Sequence, residues 1–242
     1  MNLKNTHVLI TGGGSGIGLG VALALAEGGA QVLLCGRRKD VLDEVVSANP
    51  GLSLRARTLD LTDRQAVDAL FEELEREDRS PEIVVNSAGI NISQRSMATM
   101  DPAEWDQVIS VNLTGAYNVM HAALPSMRKR QSGLIVNISS VAGKRALPMA
   151  GVAYAASKFG VTALGTSVGL EEAKNGIRVS NIYPGEVATP LLDKRIEPVP
   201  QERRVRMVQP EDIGRIVRLM AELPASAHIP EIIIKPLYQE YM

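Results

Sequence analysis

Residues 7–25 constrain this chain more than any other stretch. His7-Val8-Leu9-Ile10-Thr11 is a short apolar, β-branched run that breaks on Gly12-Gly13-Gly14-Ser15-Gly16-Ile17-Gly18, and a helical pattern carrying Leu19, Val21, Ala22 and Leu25 begins at once. A strand that ends on glycines and reopens as a helix is the layout of a dinucleotide-binding turn. Glycines permit backbone angles closed to other residues and let the main chain approach a pyrophosphate. The unpaired N–H groups at the helix start then favour the anion. The spacing is G-x-x-x-G-x-G and not G-x-G-x-x-G, so a glycine-rich turn without a ligand is the competing reading of this segment alone.

The rest of the chain repeats the same alternation. Strands are predicted at Ala30–Cys35, Leu52–Leu59, Ile83–Val85, Leu134–Ile138, Ile177–Ile182 and Glu231–Lys235. Helices are predicted at Asp40–Ala48, from a capping-box-like start at Thr62-Asp63-Arg64-Gln65 to Glu77, at Pro102–Ser110, Val111–Arg130, Gly151–Asn175 and Pro210–Glu222, with Pro184–Met207 irregular. Alternation without a linker or repeat calls for a doubly wound parallel α/β sheet, Rossmann-like, in a single domain spanning residues 1–242.

In such sheets ligands sit beyond the carboxyl ends of the strands. Each predicted strand end is polar or glycine-rich: Thr11–Gly18, Gly36–Arg38, Asp60, Asn86–Gly89, Ser139–Ser140 and Pro184–Gly185. Charge and composition narrow the partners. The 242 residues carry 26 basic and 27 acidic side chains with no like-charge block, which argues against nucleic acid. No apolar run is long enough for a bilayer and no signal region opens the chain, so a soluble cytoplasmic protein is expected. The basic cluster Arg128-Lys129-Arg130 is read as the decoration of a helix C-terminus. Cys35 stands alone in a predicted buried strand, and His7, His121 and His228 are scattered without ligand spacing, so no metal site is expected.

Tyr154 and Lys158 are four positions apart on a predicted helix and share a face. A phenol has a reference pKa of about 10, and a neighbouring ammonium stabilises its anion and shifts that value down. The pair is therefore suited to exchange a proton with a hydroxyl or carbonyl. A buried tyrosine beside a snorkelling lysine is the plainer alternative.

Taken together, Thr11-Gly-Gly-Gly-Ser-Gly-Ile-Gly18, Asn86-Ser-Ala-Gly89, Asn112, Ser140, Tyr154-Ala-Ala-Ser-Lys158 and Pro184-Gly185 resemble, in order and spacing, the short-chain dehydrogenase/reductase family across nearly the whole chain. The resemblance implies Tyr154 as general acid/base. It implies Lys158 as the residue that lowers the tyrosine pKa and binds the nicotinamide ribose, Ser140 as the group orienting the substrate oxygen with Ser139 in support, and Asn112 as holder of a relay water. It further implies a cofactor bound by Gly12, Gly14, Ser15, Gly16, Ile17 and Gly18, by Asp60 at the adenine with Leu61 beside it, and by Asn86, Ala88 and Gly89. Tyr154, Lys158, Pro184, Gly185, Val187 and Thr189 complete that set. A helix surface around Trp105 and Val111–Met127 resembles the family's packing surface, so a homotetramer or homodimer is expected. The interval from Ser140 to Tyr154 runs one residue longer than the family's usual spacing, so the loop Gly143–Gly151 is expected to differ locally.

Charge points to the cofactor. An NAD site typically closes its second strand with an acid that bonds the ribose; here Gly36 takes that place and Arg37 and Arg38 follow. Guanidinium forks suit a 2′-phosphate, so NADP(H) is expected, unless the two arginines only solvate a helix start. Met97, Met100 and Met149 fit core and pocket equally. The substrate lid is placed at about 186–207. Its Lys194, Arg195, Arg203, Arg204 and Arg206 would either draw an acidic substrate or form a solvated surface paired with Glu197 and Glu202. The chain is read as an oxidoreductase acting on a carbonyl or secondary alcohol, with a non-catalytic NADP(H)-sensing or interaction protein as the alternative.

Overall fold

A computed structural model describes residues 3–194 and 199–240. The candidate lid residues Arg195 and Glu197, and the side chain of Lys194, lie outside the described residues. Seven parallel strands form one sheet: β1 (His7–Thr11), β2 (Gln31–Gly36), β3 (Leu54–Thr58), β4 (Ile83–Asn86), β5 (Gly133–Ile138), β6 (Ile177–Pro184) and β7 (Glu231–Ile234), in the order β3-β2-β1-β4-β5-β6-β7. Chain direction across the sheet reverses between β1 and β4, which opens a crevice at their carboxyl ends.

Strand residues alternate between two cores. Val8, Ile10, Val32, Leu34, Val85 and Val136 pack under α1 (Gly16–Glu27), α2 (Lys39–Ala48) and α8 (Pro210–Glu222). Leu9, Cys35, Val84, Ile135 and Val179 face α3 (Arg64–Arg76), α5 (Gly115–Arg130) and α6 (Val152–Glu172). Both faces being covered explains the near-continuous apolar runs read as buried strands. Cys35 is core, and burial pushes its thiol up to about 12. The Arg128-Lys129-Arg130 cluster does end α5, and its charges tie neighbouring helices together: Arg128 pairs with the buried Glu172 and Lys129 with Glu75.

Two local expectations are corrected. The start of α3 is capped by Asp63, which accepts from Ala66 N at 3.0 Å, because the Thr62 hydroxyl is drawn to Asp60 Oδ1 at 2.8 Å. The break expected at Ser110/Val111 is a π-helical segment, Ser110–Thr114, joining α4 (Pro102–Ile109) to α5 without an interruption. The stretch 184–207 holds a 3₁₀ turn at Pro190–Lys194 and the short α7 (Gln201–Arg204).

Three buried asparagines stand side by side on the central strands. Asn86 pairs in register with Asn137, and Asn137 with Asn181. Asn86 Nδ2 donates to Asn137 Oδ1 at 2.9 Å, and Asn137 Nδ2 to Asn181 Oδ1 at 3.2 Å. Such a ladder satisfies polar groups that the dry sheet would otherwise penalise. Asn86 Oδ1 is the one buried side-chain atom among the described residues without a partner.

Candidate functional site

The glycine turn is built by backbone geometry that side chains oppose. Gly12 has φ +68° and Gly16 φ +53°, both in the left-handed region. A Cβ on Gly12 would stand 2.9 Å from the Ala88 backbone, and one on Gly16 would stand 3.1 Å from Thr189 Cγ2. The turn is thus pressed against the ends of β4 and β6. Ser15 precedes α1 without capping it through its side chain, so the first amides of α1 keep their donors for an anion. Thr11 fastens the crevice: its Oγ1 accepts from Ser87 N at 3.1 Å and Ala88 N at 3.2 Å.

Arg37 and Arg38 lie exposed just past β2 and form no ion pair among the described residues. Arg37 lies near Asp60 and, after the hydrogen bonds from Thr62, helps hold that carboxyl below its usual range. Leu61 is buried, and its carbonyl accepts from Asn118 Nδ2 at 2.8 Å.

A cavity of about 170 Å³ opens at the carboxyl ends of β4, β5 and β6. Ile17, Gly89, Ser140, Tyr154, Lys158, Pro184, Gly185, Val187 and Thr189 all line it, so three of the four candidate catalytic residues converge on one space. Asn86, Ala88 and Asn112 line a second, small cavity on the other side of Lys158, with Leu61 and Thr11. Met149 faces the main cavity, Met100 packs with Ile92, Val108 and Ala153, and Met97 is exposed.

Each polar residue is held by a second group. Ser140 stands past β5 in extended backbone, and its Oγ accepts from Ala142 N at 3.1 Å. Ser139 Oγ donates to Lys158 O at 3.1 Å, fixing the helix turn that carries the lysine. Lys158 Nζ donates to Ile138 O at 2.8 Å and lies 5.6 Å from the Tyr154 ring centroid. Asn112 is placed by the π segment, a feature frequent at functional sites. Its amide bonds both Ile90 N and Ile90 O, and Ser157 Oγ at 3.0 Å. The side chain expected to hold a water thus clamps the loop after β4. The loop Gly143–Gly151, expected to be unusual, contains a 3₁₀ turn at Pro148–Ala150 and a left-handed Gly151 at φ +83°.

The electrostatics differ from the expected pattern. Burial raises the Tyr154 phenol above its ordinary value, while the Ser140 hydroxyl and the Arg95 charge pull it down. Burial also lowers Lys158 to about 8. Desolvation therefore outweighs the expected help from lysine to tyrosine, and the cation that acts on the phenol is Arg95, which no motif marked. The lysine shift has a measurable sign. Between pH 8 and 10.5 the unfolded chain holds more protons than the folded one, so stability rises with pH there. Relative to Lys158→Met, the protein should gain up to about 3 kcal/mol across that window in urea denaturation. A pH-independent difference would mean that Lys158 titrates normally.

Two of the lid arginines, Arg203 and Arg204, are paired, but with Glu186 and Asp193 and not with the expected Glu202. Arg203 Nη2 bonds both carboxylate oxygens of the buried Glu186 at 2.9 and 2.8 Å, and Arg204 pairs with Asp193 at 2.5 Å. Tyr238 OH donates to Glu186 Oε2 at 2.9 Å, and Gln239 Oε1 accepts from Glu186 N at 2.9 Å. Gln239 thereby lines the main cavity, a role without any sequence signal. Among the described residues no group of three or more metal-binding side chains gathers, and no helix is long and apolar enough to cross a membrane.

Comparison with known proteins agrees with this geometry. A sequence profile described as short chain dehydrogenase matches residues 6–199. An uncharacterised oxidoreductase of Staphylococcus aureus strain N315 is 33% identical over 229 residues, covering 95% of this chain and 96% of that protein. Another, from Staphylococcus saprophyticus, is 33% identical over 244 residues and 98% of both. Among solved structures, the closed form of serine dehydrogenase complexed with NADP+ superposes with a TM-score of 0.86 at 28% identity, over 97% of this chain and 96% of that one. A metagenomic short-chain oxidoreductase in complex with NADP gives 0.82 at 31% identity, over 99% and 100%.

Proposed function

The chain belongs to the short-chain dehydrogenase family, an oxidoreductase family, and on that premise we propose that it interconverts a carbonyl and a secondary alcohol using NADP(H). The observation that carries this reading is the gathering of Ser140, Tyr154 and Lys158 around the cavity that also meets the glycine turn and Pro184-Gly185. The bound nicotinamide supplies the hydride in reduction and accepts it in oxidation.

The residues present fit such a cofactor. The left-handed glycines leave room for a pyrophosphate at the α1 amides, and the Asp60 carboxylate, which Thr62 holds through Oδ1, would accept from the adenine amino group. Ile17, Gly89, Val187 and Thr189, which line the main cavity, would border the nicotinamide.

Tyr154 keeps its proton at neutral pH and delivers it to the carbonyl oxygen, which the Ser140 hydroxyl orients. The Arg95 charge steadies the phenolate left behind, and Lys158, 5.6 Å from the Tyr154 ring, would contact the ribose. The small cavity lined by Lys158 and Asn112 has room for a single water at most, and Asn86, whose Oδ1 lacks a partner, also lines it. A water there would link Lys158 onward as a proton relay. A homodimer or homotetramer also fits, since Tyr117, Phe159 and Leu170 on α5 and α6 are exposed.

NADP(H) over NAD(H) rests on Arg37 and Arg38 following Gly36. Fluorescence titration should show tighter binding of NADPH than of NADH. Arg37→Asp should move the ratio of the two dissociation constants towards NADH by about tenfold or more, the size of one charge-assisted bond. An unchanged ratio would remove the 2′-phosphate from the reading, and binding of neither nucleotide would remove the enzyme.

A further inference from the structure

Beyond the residues given to catalysis and the nucleotide, most polar side chains of the main cavity are spent on the protein itself. Asn91 accepts from Ile92 N and donates to Ala150 O, Ser139 Oγ donates to Lys158 O, and Glu186 accepts from Arg203 and Tyr238. Ser87 stands at the glycine turn, on the nucleotide side. Gln239 differs. It lies in the turn after β7, lines the same space as Ser140 and Tyr154, and commits only one end of its carboxamide.

The residue is held at its backbone and at its tip. Gln239 N donates to Pro236 O at 3.1 Å, closing a turn, and Oε1 accepts from Glu186 N at 2.9 Å. A Cβ on Gly185 would overlap that oxygen, so the glycine makes room for the amide. Gly185 N ties the same two segments by donating to Ile234 O at 2.7 Å. Only the oxygen of a carboxamide can accept from a main-chain N–H, so the amide cannot be reversed and Nε2 is the end left over. Nε2 carries two N–H donors, and among the described residues it has no partner. The side chain is half-buried, so a substrate without an acceptor would leave those donors dry, at a cost that a matching oxygen avoids. The Glu186 carboxylate stands in the same wall, which favours an uncharged acceptor over an anion. Leu147, Met149, Leu191 and Leu192 give the cavity its apolar lining.

We propose that Gln239 determines substrate specificity by donating from Nε2 to a second oxygen of the substrate, so that the substrate class is an uncharged oxo ester or other dicarbonyl compound and its hydroxy counterpart. This rests on the oxidoreductase reading above for the reaction, but not for the binding.

The test uses the full chain with NADPH and three oxo esters, methyl 3-oxobutanoate, methyl 4-oxopentanoate and methyl 5-oxohexanoate. Each is measured beside the 2-alkanone of equal chain length, from 2-hexanone to 2-octanone. Intrinsic reactivity differs within a pair but is the same in every variant, so the quantity read is the change in the ester-to-ketone ratio of kcat/KM. Gln239→Glu keeps an oxygen for Glu186 N and removes the donors, and Gln239→Met keeps the bulk and removes both. For the best ester, each should shrink the ratio about fivefold or more, the size of one neutral hydrogen bond left unmade. A ratio unchanged in both variants would overturn the proposal, as would a proportionate loss for ester and ketone, which is what a mere prop of the wall would give. A ratio that shrinks in Gln239→Met but not in Gln239→Glu would assign the effect to the Glu186 contact and overturn the donor role. Binding is read separately, without cofactor, as the shift in melting temperature with methyl 4-oxopentanoate against that with 2-heptanone. A larger shift with the ester that is lost in both variants supports the site even without turnover, in which case the proposed reaction falls and the site stands. Turnover with an unaltered ratio leaves the reaction standing and removes the site.

Discussion

Tyr154→Phe should lower kcat for carbonyl reduction by about 10²–10⁴, the usual contribution of a positioned general acid, while the dissociation constant for NADPH changes less than about twofold. The substitution removes one oxygen and leaves the ring. The α6 helix is held by other contacts, through Ser157 Oγ to Tyr154 O at 2.8 Å and Lys158 Nζ to Ile138 O, so the fold and the nucleotide crevice should persist. The same assignment fixes a pH dependence. The phenol is raised by burial, so it stays protonated through neutral pH and is available as an acid. The rate of reduction should therefore be flat near neutrality and fall on the alkaline side as the tyrosine loses its proton, and the fall should be missing from the residual rate of the phenylalanine variant. Steady-state rates from pH 6 to 11 with a saturating carbonyl compound measure both. A rate loss under about tenfold would take the proton-donor role away from Tyr154.

Gly18→Ala should weaken NADPH binding by about ten- to a hundredfold, corresponding to roughly 1–3 kcal/mol of strain from one inserted methyl group. Gly18 is the last glycine of the turn and lies inside α1. A Cβ there would fall 2.8 Å from the Gly12 carbonyl carbon and closer still to its oxygen. Relief requires the β1–α1 turn to open, which displaces the amides that face the phosphates. Far-ultraviolet circular dichroism should be nearly unchanged, because the strain is local to the crevice. Binding as tight as in the unaltered protein would show that the turn does not cradle the nucleotide.

The parts of the fold that follow from local patterning were legible in the chain. Apolar runs bounded by glycine and polar residues located all seven strands, and the strand-end rule located the crevice. Long-range polar choices were not. Thr62 looked like a cap until Asp60, two residues back, was seen to take its hydroxyl. Asn137 and Asn181 carry no motif, yet they complete the ladder that fixes Asn86, because pairing across strands depends on register and not on neighbours in sequence. For the site, the Tyr154/Lys158 pair was found by helical spacing, but the sign of the tyrosine shift was not, since desolvation depends on everything packed around a group. Arg95 and Gln239 escaped notice for a similar reason. Each comes from a segment without periodicity, and only the folded loops bring them to the cavity.

The contact of Gln239 with Glu186 has a bearing on biosynthesis. The glycine turn lies within the first twenty residues and the Tyr154/Lys158 pair within the first one hundred and sixty, but the wall at Gly185-Glu186 is closed by residues that the ribosome delivers some fifty positions later. A Cβ on Gly185 would press into the Gln239 side chain and 2.9 Å from Lys235 Cβ, so the fit is close. A nascent chain halted before residue 230 would lack β7, which pairs with β6 through Asn181–Pro184, and would leave that edge open together with the cavity. The β6 edge and the cavity wall beside it are thus completed only by the last residues of the chain.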